Sequence, residues 1–324
     1  MQKSISDFQA IIKKALNEYA FGEREPKELY EPCDYLLGIG GKRIRPVLCL
    51  LGSDLFDGEP ENAVKPALAI EYFHNFTLMH DDIMDEAPLR RGHQTVHLKY
   101  DLNTGILSGD LLLARAYQFF EELEGEKFKE ALKVFTRTTI EICEGQQYDK
   151  NFESRETVTF SEYIKMIELK TAVLVGAALQ IGAISAGATV ENQHKIYEFG
   201  KNLGIAFQLQ DDYLDVFGNA GFGKTPAGDI IENKKTILYI KAVENANEED
   251  LKSLKKWYAL KTGDSAKIEA VKSIFVNSGA GEEVRKLIKE YSQTAIEFLN
   301  GIEAAENKKE LLRALTAELI QREI

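Results

Sequence analysis

The chain has 324 residues, 28% of them charged and 44% hydrophobic, and a formal net charge of −12. This balance excludes a disordered or collagen-like chain and gives no general attraction for nucleic acid or an anionic membrane surface. It also repels a phosphorylated small molecule, unless metal ions or a local group of cations reverse the sign. Cys33, Cys49 and Cys143 form no CxxC pair, which argues against a disulfide scaffold and for a reducing, cytoplasmic setting.

The N-terminal stretch MQKSISDFQAIIKKALNEYA reads as an amphipathic helix with charges inside it, not as a signal peptide. After it come the turn-rich GIGGKRIRP, with Pro46 placed to open a helix, and a long apolar helical pattern running to Asp85. Ser108 in LSGDLLL looks like a helix N-cap. None of the seven prolines lies between Pro88 and Pro226, and none follows Pro226. Because helix interiors exclude proline, these stretches read as long helices. The hairpin signal, two-residue alternation around Asn-Gly or Asp-Gly, is absent.

Thr171 to Val190 is an uncharged run of 20 residues, long enough to span a membrane. Its Ala/Gly/Ser content, Gln180 and the lack of a neighbouring span favour a helix buried in a large core, so no integral membrane segment is expected. The charged, Lys/Glu-rich last 80 or so residues are expected as peripheral helices. The reading is an all-α protein, one domain over residues 1–324, with ten or more helices.

Two DDxxD motifs carry the chemistry. Asp81, Asp82 and Asp85 stand in LMHDDIMDEAPLRRG; Asp211, Asp212 and Asp215 stand in FQLQDDYLDVFG. Residues i and i+4 differ by about 40° around a helix, so Asp81 shares a face with Asp85, and Asp211 with Asp215. Like charges at that spacing destabilise a helix unless something compensates. Carboxylate oxygens on one face suit Mg²⁺, which takes one or two carboxylates plus substrate phosphates. A solvated acidic face is the bland alternative, opposed by the apolar neighbours Phe76, Leu78, Met79, Ile83, Phe207, Leu209, Tyr213 and Leu214.

Cations gather near these acids. GIGGKRIRP supplies Lys42, Arg43 and Arg45 in a Gly-rich turn at a helix start, the pattern of a phosphate site. Arg90 and Arg91 follow Asp85, and adjacent arginine forks suit diphosphate oxygens. Lys224 and Lys234 follow the second motif. His74 lies seven residues before Asp81, two turns down and within about 20° of its face, either as a core histidine or as a ligand. His80, His93 and His97 have no cysteine beside them, which argues against zinc.

In this order, GGKRIRP, EYFHNFTLMHDDIMDEAPLRRGHQTVH, ILSGDLLLARA, ELKTA, FQLQDDYLDVFG and GKTPAGD resemble the trans-isoprenyl diphosphate synthases, the polyprenyl synthetase family. The resemblance runs from about residue 40 to NKKT near residue 236. It implies a homodimer of all-helical subunits, each built around a deep central cavity. It also implies a Mg²⁺-dependent prenyltransferase joining isopentenyl diphosphate to an allylic diphosphate. By matching motif positions, Asp81, Asp82, Asp85, Asp211 and Asp215 would hold three Mg²⁺ against the allylic diphosphate, helped by Arg90, Lys170, Lys224 and Lys234. Lys42, Arg45, His74 and Arg91 would hold isopentenyl diphosphate, and Thr171 and Gln208 would line the carbocation. The spacing of two between the aspartates of the first cluster lacks the insertion of typical bacterial farnesyl synthases. In this family product length depends on bulk upstream of the first cluster. Phe76 and Thr77, fifth and fourth before Asp81, with Phe73 below, resemble short-chain geranylgeranyl synthases. A twenty-carbon product is expected, with fifteen carbons as runner-up and Phe76 as ordinary core packing the alternative role. A class I terpene cyclase and an inactive partner subunit are the competing readings. The second DDxxD opposes the first, and two intact clusters oppose the second.

Overall fold

Ser4 opens the first helix: its hydroxyl accepts the amide of Asp7, whose carboxylate accepts the amide of Ser4 in return. The computed structural model describes residues 3–218 and 227–320. In chain order the helices begin with α1 (Ile5–Glu18), α2 (Lys27–Gly38), α3 (Ile44–Leu55) and α4 (Pro60–Met84). A minimal hairpin, β1 (Leu89–Arg90) and β2 (His93–Gln94), precedes α5 (Val96–Lys99), α6 (Leu102–Gln118) and α7 (Gly125–Ser154). Then follow α8 (Phe160–Ile167), a π turn (Glu168–Ala172), α9 (Val173–Ala186) and α10 (Val190–Phe217). The last are α11 (Gly228–Ile231), α12 (Ile237–Asn245), α13 (Glu248–Tyr258), α14 (Ser265–Asn277), α15 (Ala280–Asn300) and α16 (Glu306–Ile320).

The all-α expectation holds, with three local corrections. The hairpin pairs Leu89 with Gln94 and Arg90 with His93 around Arg91-Gly92, both at positive φ. That is an I′-like turn made without Asn-Gly, on strands too short to show alternation. Ser108 is not an N-cap: Asp101 caps α6 by accepting from Thr104, and Ser108 is buried inside the helix, donating to the Leu29 carbonyl at 3.0 Å. Pro32 and Pro66 sit inside α2 and α4, each removing one donor from the ladder.

The residues group into two compact units. The first comprises Met1–Thr136, Ala177–Tyr197 and Ile302–Leu311; the second comprises Arg137–Gly176, Glu198–Gly301 and Leu312–Ile324. In the first, α3 and the C-terminal part of α9 pack with their backbones in near contact. A Cβ on Gly52 would stand 2.2 Å from the Leu179 carbonyl, and one on Gly182 only 1.9 Å from that of Cys49. This crossing explains the small-residue composition of the long uncharged run. By length and composition Phe160–Ala186 could cross a membrane, yet 78% of its most apolar window is buried within the protein. It is a core helix.

The second unit corrects the expectation of peripheral C-terminal helices. Its core includes Tyr163, Leu209, Ile237, Leu238, Leu254, Val271, Phe275, Val284 and Ile288. Fully burying one such side chain contributes roughly 1.5–3 kcal/mol, so α12 to α15 are structural centre, not trim. Their charged outer faces hid this in the composition. Lys267 is wholly buried among them and donates to the Ile231 and Leu260 carbonyls and to Asn233 Oδ1.

Candidate active site

In the first unit α4 delivers its acidic motif at its C-terminal end. Asp82 points inward, 2% exposed, and Asp85 is the exposed C-cap residue, its amide still bonded to the Asp81 carbonyl at 2.9 Å. The hairpin folds Arg90 back onto Asp82: Nε donates to both carboxylate oxygens at 3.0 and 3.2 Å, the guanidinium grips Oδ1 again, and Asp81 lies 4.0 Å away. Burial pushes the Asp82 carboxyl up and the Arg90 fork opposes it. Burial likewise works against the Arg90 charge, but Asp82, Asp81 and Asp85 more than offset it.

The glycine-rich turn and the hairpin meet through Arg91, which donates to the Gly40 carbonyl. Gly41 has φ +123°, and a Cβ there would stand 2.6 Å from the Arg91 guanidinium. The backbone conformation favours glycine, and a larger residue would also have to push the arginine aside. Arg43 caps α3 from a left-handed conformation and is tied to Glu71 and the Leu37 carbonyl. Arg45 lies 3.3 Å from His74 Nε2. A guanidinium can only donate, so Nε2 accepts and the histidine is neutral. Burial and the charges of Arg45, Arg91, Arg90 and Arg43 hold its pKa well below the usual value. Lys42 is exposed at the turn. Arg45, His74, Arg90 and Arg91 thus lie within electrostatic reach of one another in the first unit, with Lys42 next to them in the glycine-rich turn by sequence.

Below Asp81 on α4 lies an aromatic ladder. Phe76 packs against Phe73 at 5.6 Å between ring centres, and Phe73 against Phe135 at 5.2 Å. Thr77 turns its hydroxyl back to the His74 carbonyl at 2.8 Å.

In the second unit the π turn carries Lys170 and Thr171 side by side. Lys170 pairs with Asp149. Thr171 donates to Gln208 Oε1 at 3.3 Å; Gln208 Nε2 donates to Asp212 Oδ1 at 2.9 Å; Tyr163 donates to Asp212 Oδ2. This relay fixes the Gln208 amide with its oxygen toward Thr171. Asp215 accepts the amide of Asp229 at 3.0 Å, and its carbonyl accepts that of Ala227. Lys234 Nζ lies 3.1 Å from Glu232 and 3.8 Å from Asp229. Burial works against its charge, but Asp229 and Glu232 raise its pKa overall. Lys224 lies outside the described residues.

Among the described residues no three His, Cys, Asp or Glu side chains already converge as a metal cage. Each motif by itself offers hard carboxylate oxygens of the kind that suit Mg²⁺, which takes one or two carboxylates and completes its shell with water or phosphate oxygens. In the first unit Asp81, Asp82 and Asp85, and in the second Asp211 and Asp215, are the residues that would hold such ions. A cavity of about 530 Å³ at α2, α6 and the start of α7, lined by Arg24, Arg115 and Tyr117 among others, contains neither cluster.

Sequence reasoning missed Asp149, Glu71, Asp229 and Tyr163. Glu71 carried a signal, a single acid in the apolar run ALAIEYF. Asp149 and Tyr163 carried none, because their partners are distant in sequence.

These features define a predominantly helical protein with two aspartate-rich helices, each flanked by its own cations. A family profile described as polyprenyl synthetase matches residues 26–275, well past the point where the motifs end. The geranylgeranyl diphosphate synthase of Sulfolobus acidocaldarius is 41% identical over 297 residues, covering 90% of this chain and 89% of its own. The geranylfarnesyl diphosphate synthase of Natronomonas pharaonis is 39% identical over 261 residues, covering 75% and 76%. A crystal structure of a geranylgeranyl pyrophosphate synthase aligns with a TM-score of 0.95 at 43% identity, covering 100% of both chains. The chain belongs to the polyprenyl synthetase family.

Proposed function

We propose that this protein is a Mg²⁺-dependent head-to-tail prenyltransferase that condenses isopentenyl diphosphate with allylic diphosphates to a twenty-carbon prenyl diphosphate. The observation that carries this is the pair of intact DDxxD helices, each with cations folded onto or beside it. Mg²⁺, with about three ions expected per site, supplies positive charge to the allylic diphosphate. Arg90, Lys170 and Lys234 add charge toward the same leaving group, so that the allylic C–O bond breaks and the electron pair leaves with diphosphate. Lys42, Arg45, His74 and Arg91 hold isopentenyl diphosphate, whose double bond attacks the cation to form the new C–C bond. A proton then leaves the adjacent carbon for the departed diphosphate. Thr171 and the oriented Gln208 oxygen present partial negative charge to the cation.

Chain length rests on Phe76, about 7.5 Å below Asp81 along the α4 axis, at the head of the aromatic ladder. The Natronomonas relative favours a specific second reading, a twenty-five-carbon product; fifteen carbons is the shorter alternative. A homodimer is supported by Leu102, Ile106 and Leu107, 52%, 40% and 59% exposed along α6, which a second copy would cover. The free cysteines support a cytoplasmic location.

The test is incubation of purified protein with Mg²⁺, labelled isopentenyl diphosphate and each allylic primer, then chromatography of the dephosphorylated products. A twenty-carbon alcohol is expected. Diphosphate release from an allylic substrate without isopentenyl diphosphate would instead indicate a cyclase, and no turnover an inactive subunit.

A further inference from the structure

The head of the aromatic ladder is gripped by a residue that the functional reading leaves unused. His80 lies four residues after Phe76, so the two share a face of α4. Helical side chains lean toward the N-terminus, so the His80 ring lies down over Phe76. The ring centres are 4.8 Å apart in an edge-on arrangement. On its other side His80 meets α6. Its Nε2 is 3.1 Å from the Ile106 carbonyl, and because a carbonyl only accepts, Nε2 carries the proton. Asp110 stands 3.9 Å from the same nitrogen. Gly109 leaves α6 bare where the ring sits: a Cβ there would be 2.2 Å from Nε2.

The imidazole is therefore held by a carbonyl, a missing side chain and the edge of Phe76. We propose that His80 is a positioning residue for product length, wedged between α6 and Phe76 so that the phenyl ring keeps the place where the prenyl chain stops. This rests on the reading of Phe76 as the stop. Phe76 is only half-buried and its companion Thr77 is small, so once the His80 ring is gone the phenyl ring keeps its contact with Phe73 below but loses the one above it.

The test compares wild type with Phe76→Ala, His80→Ala, His80→Phe and Gly109→Ala. Each is supplied with isopentenyl and farnesyl diphosphates and Mg²⁺, and the ratio of longer products to the wild-type product is measured. His80→Ala is expected to raise that ratio about 2- to 10-fold, the population change that loss of one ring pair allows. Gly109→Ala, which pushes the ring aside, should shift it in the same direction. His80→Phe, which keeps an aromatic edge but not the carbonyl bond, should shift it less. Because the ratio is read per product formed, loss of folded protein lowers the yield without moving it. A wild-type ratio in all the His80 and Gly109 variants, with Phe76→Ala lengthening the product, overturns the inference and leaves Phe76 in its role. A wild-type ratio in Phe76→Ala removes the stop itself, and the inference with it.

Discussion

The phenol of Tyr163 donates to one oxygen of Asp212 while Gln208 occupies the other, so the middle aspartate of the second cluster is buried and held at both ends. Asp82, the middle aspartate of the first cluster, is buried and forked by Arg90. In each motif the central carboxylate is buried and hydrogen-bonded by the protein's own side chains, and it is flanked by aspartates that are more exposed in the first motif.

Asp212 gives a pH prediction. Burial pushes its carboxyl up to about 6, against the hydrogen bonds of Tyr163 and Gln208. The unfolded value is about 3.9, so between roughly pH 4 and 6 the folded, metal-free state binds the proton that the unfolded chain has released. This group's contribution to stability therefore falls as pH rises through that window. Asp212→Asn removes the effect. In urea melts of metal-free protein, the variant should gain on wild type by on the order of 1–3 kcal/mol between pH 4 and 6 and no further above it. A pH-independent difference would contradict the assignment.

His74 titrates with the opposite sign. Its folded pKa lies well below 6.5, so the unfolded chain takes up a proton first and stability drops as pH falls below about 6.5. His74→Gln keeps an acceptor for Arg45 and should flatten that acid limb. The slope of stability against pH between 5 and 7 decides it.

Arg90→Lys keeps the charge but loses the fork. Two or more charge-assisted bonds to Asp82 become at most one. kcat/KM for the allylic diphosphate should fall about 10- to 100-fold, while the melting curve of the variant stays cooperative. Wild-type kinetics in Arg90→Lys would show that the fork is unimportant.

Much of this was legible in the sequence because it is local. The aspartate spacing, the cationic loops and the long proline-free helices each depend on residues within a few turns, and the helices appeared where periodicity placed them. What was not legible is what the fold brings together. The Asp149–Lys170 pair spans 21 residues and the Tyr163–Asp212 bond spans 49, distances over which no pattern in the string speaks. The C-terminal helices were misjudged because their exposed charges outnumber a buried stripe that only tertiary packing reveals.

Lys267 is the sharpest example. Its ammonium sits in the core with three oxygens around it. Lys267→Met fits the space but strands those acceptors, at roughly 1–3 kcal/mol for each one left unsatisfied. A lowered urea midpoint with an unchanged m-value is expected, and a wild-type midpoint would show that water replaces the ammonium at no cost.

Chelation should separate activity from folding. Because Mg²⁺ would be held by a few carboxylates together with the substrate's phosphates, EDTA should abolish turnover, and added Mg²⁺ restore it, with no change in far-UV circular dichroism. A metal-dependent loss of helicity would mean that the ion is structural.

The contact between Gly41 and Arg91 couples the glycine-rich turn to the hairpin. A Cβ at position 41 would stand 2.6 Å from the Arg91 guanidinium, the movable end of an exposed side chain, so a larger residue there would push the arginine aside and break its bond to the Gly40 carbonyl. The backbone of one loop thus sets the direction in which the cation of another points, and a change at 41 is felt first as strain at a positive φ and then as a misdirected charge.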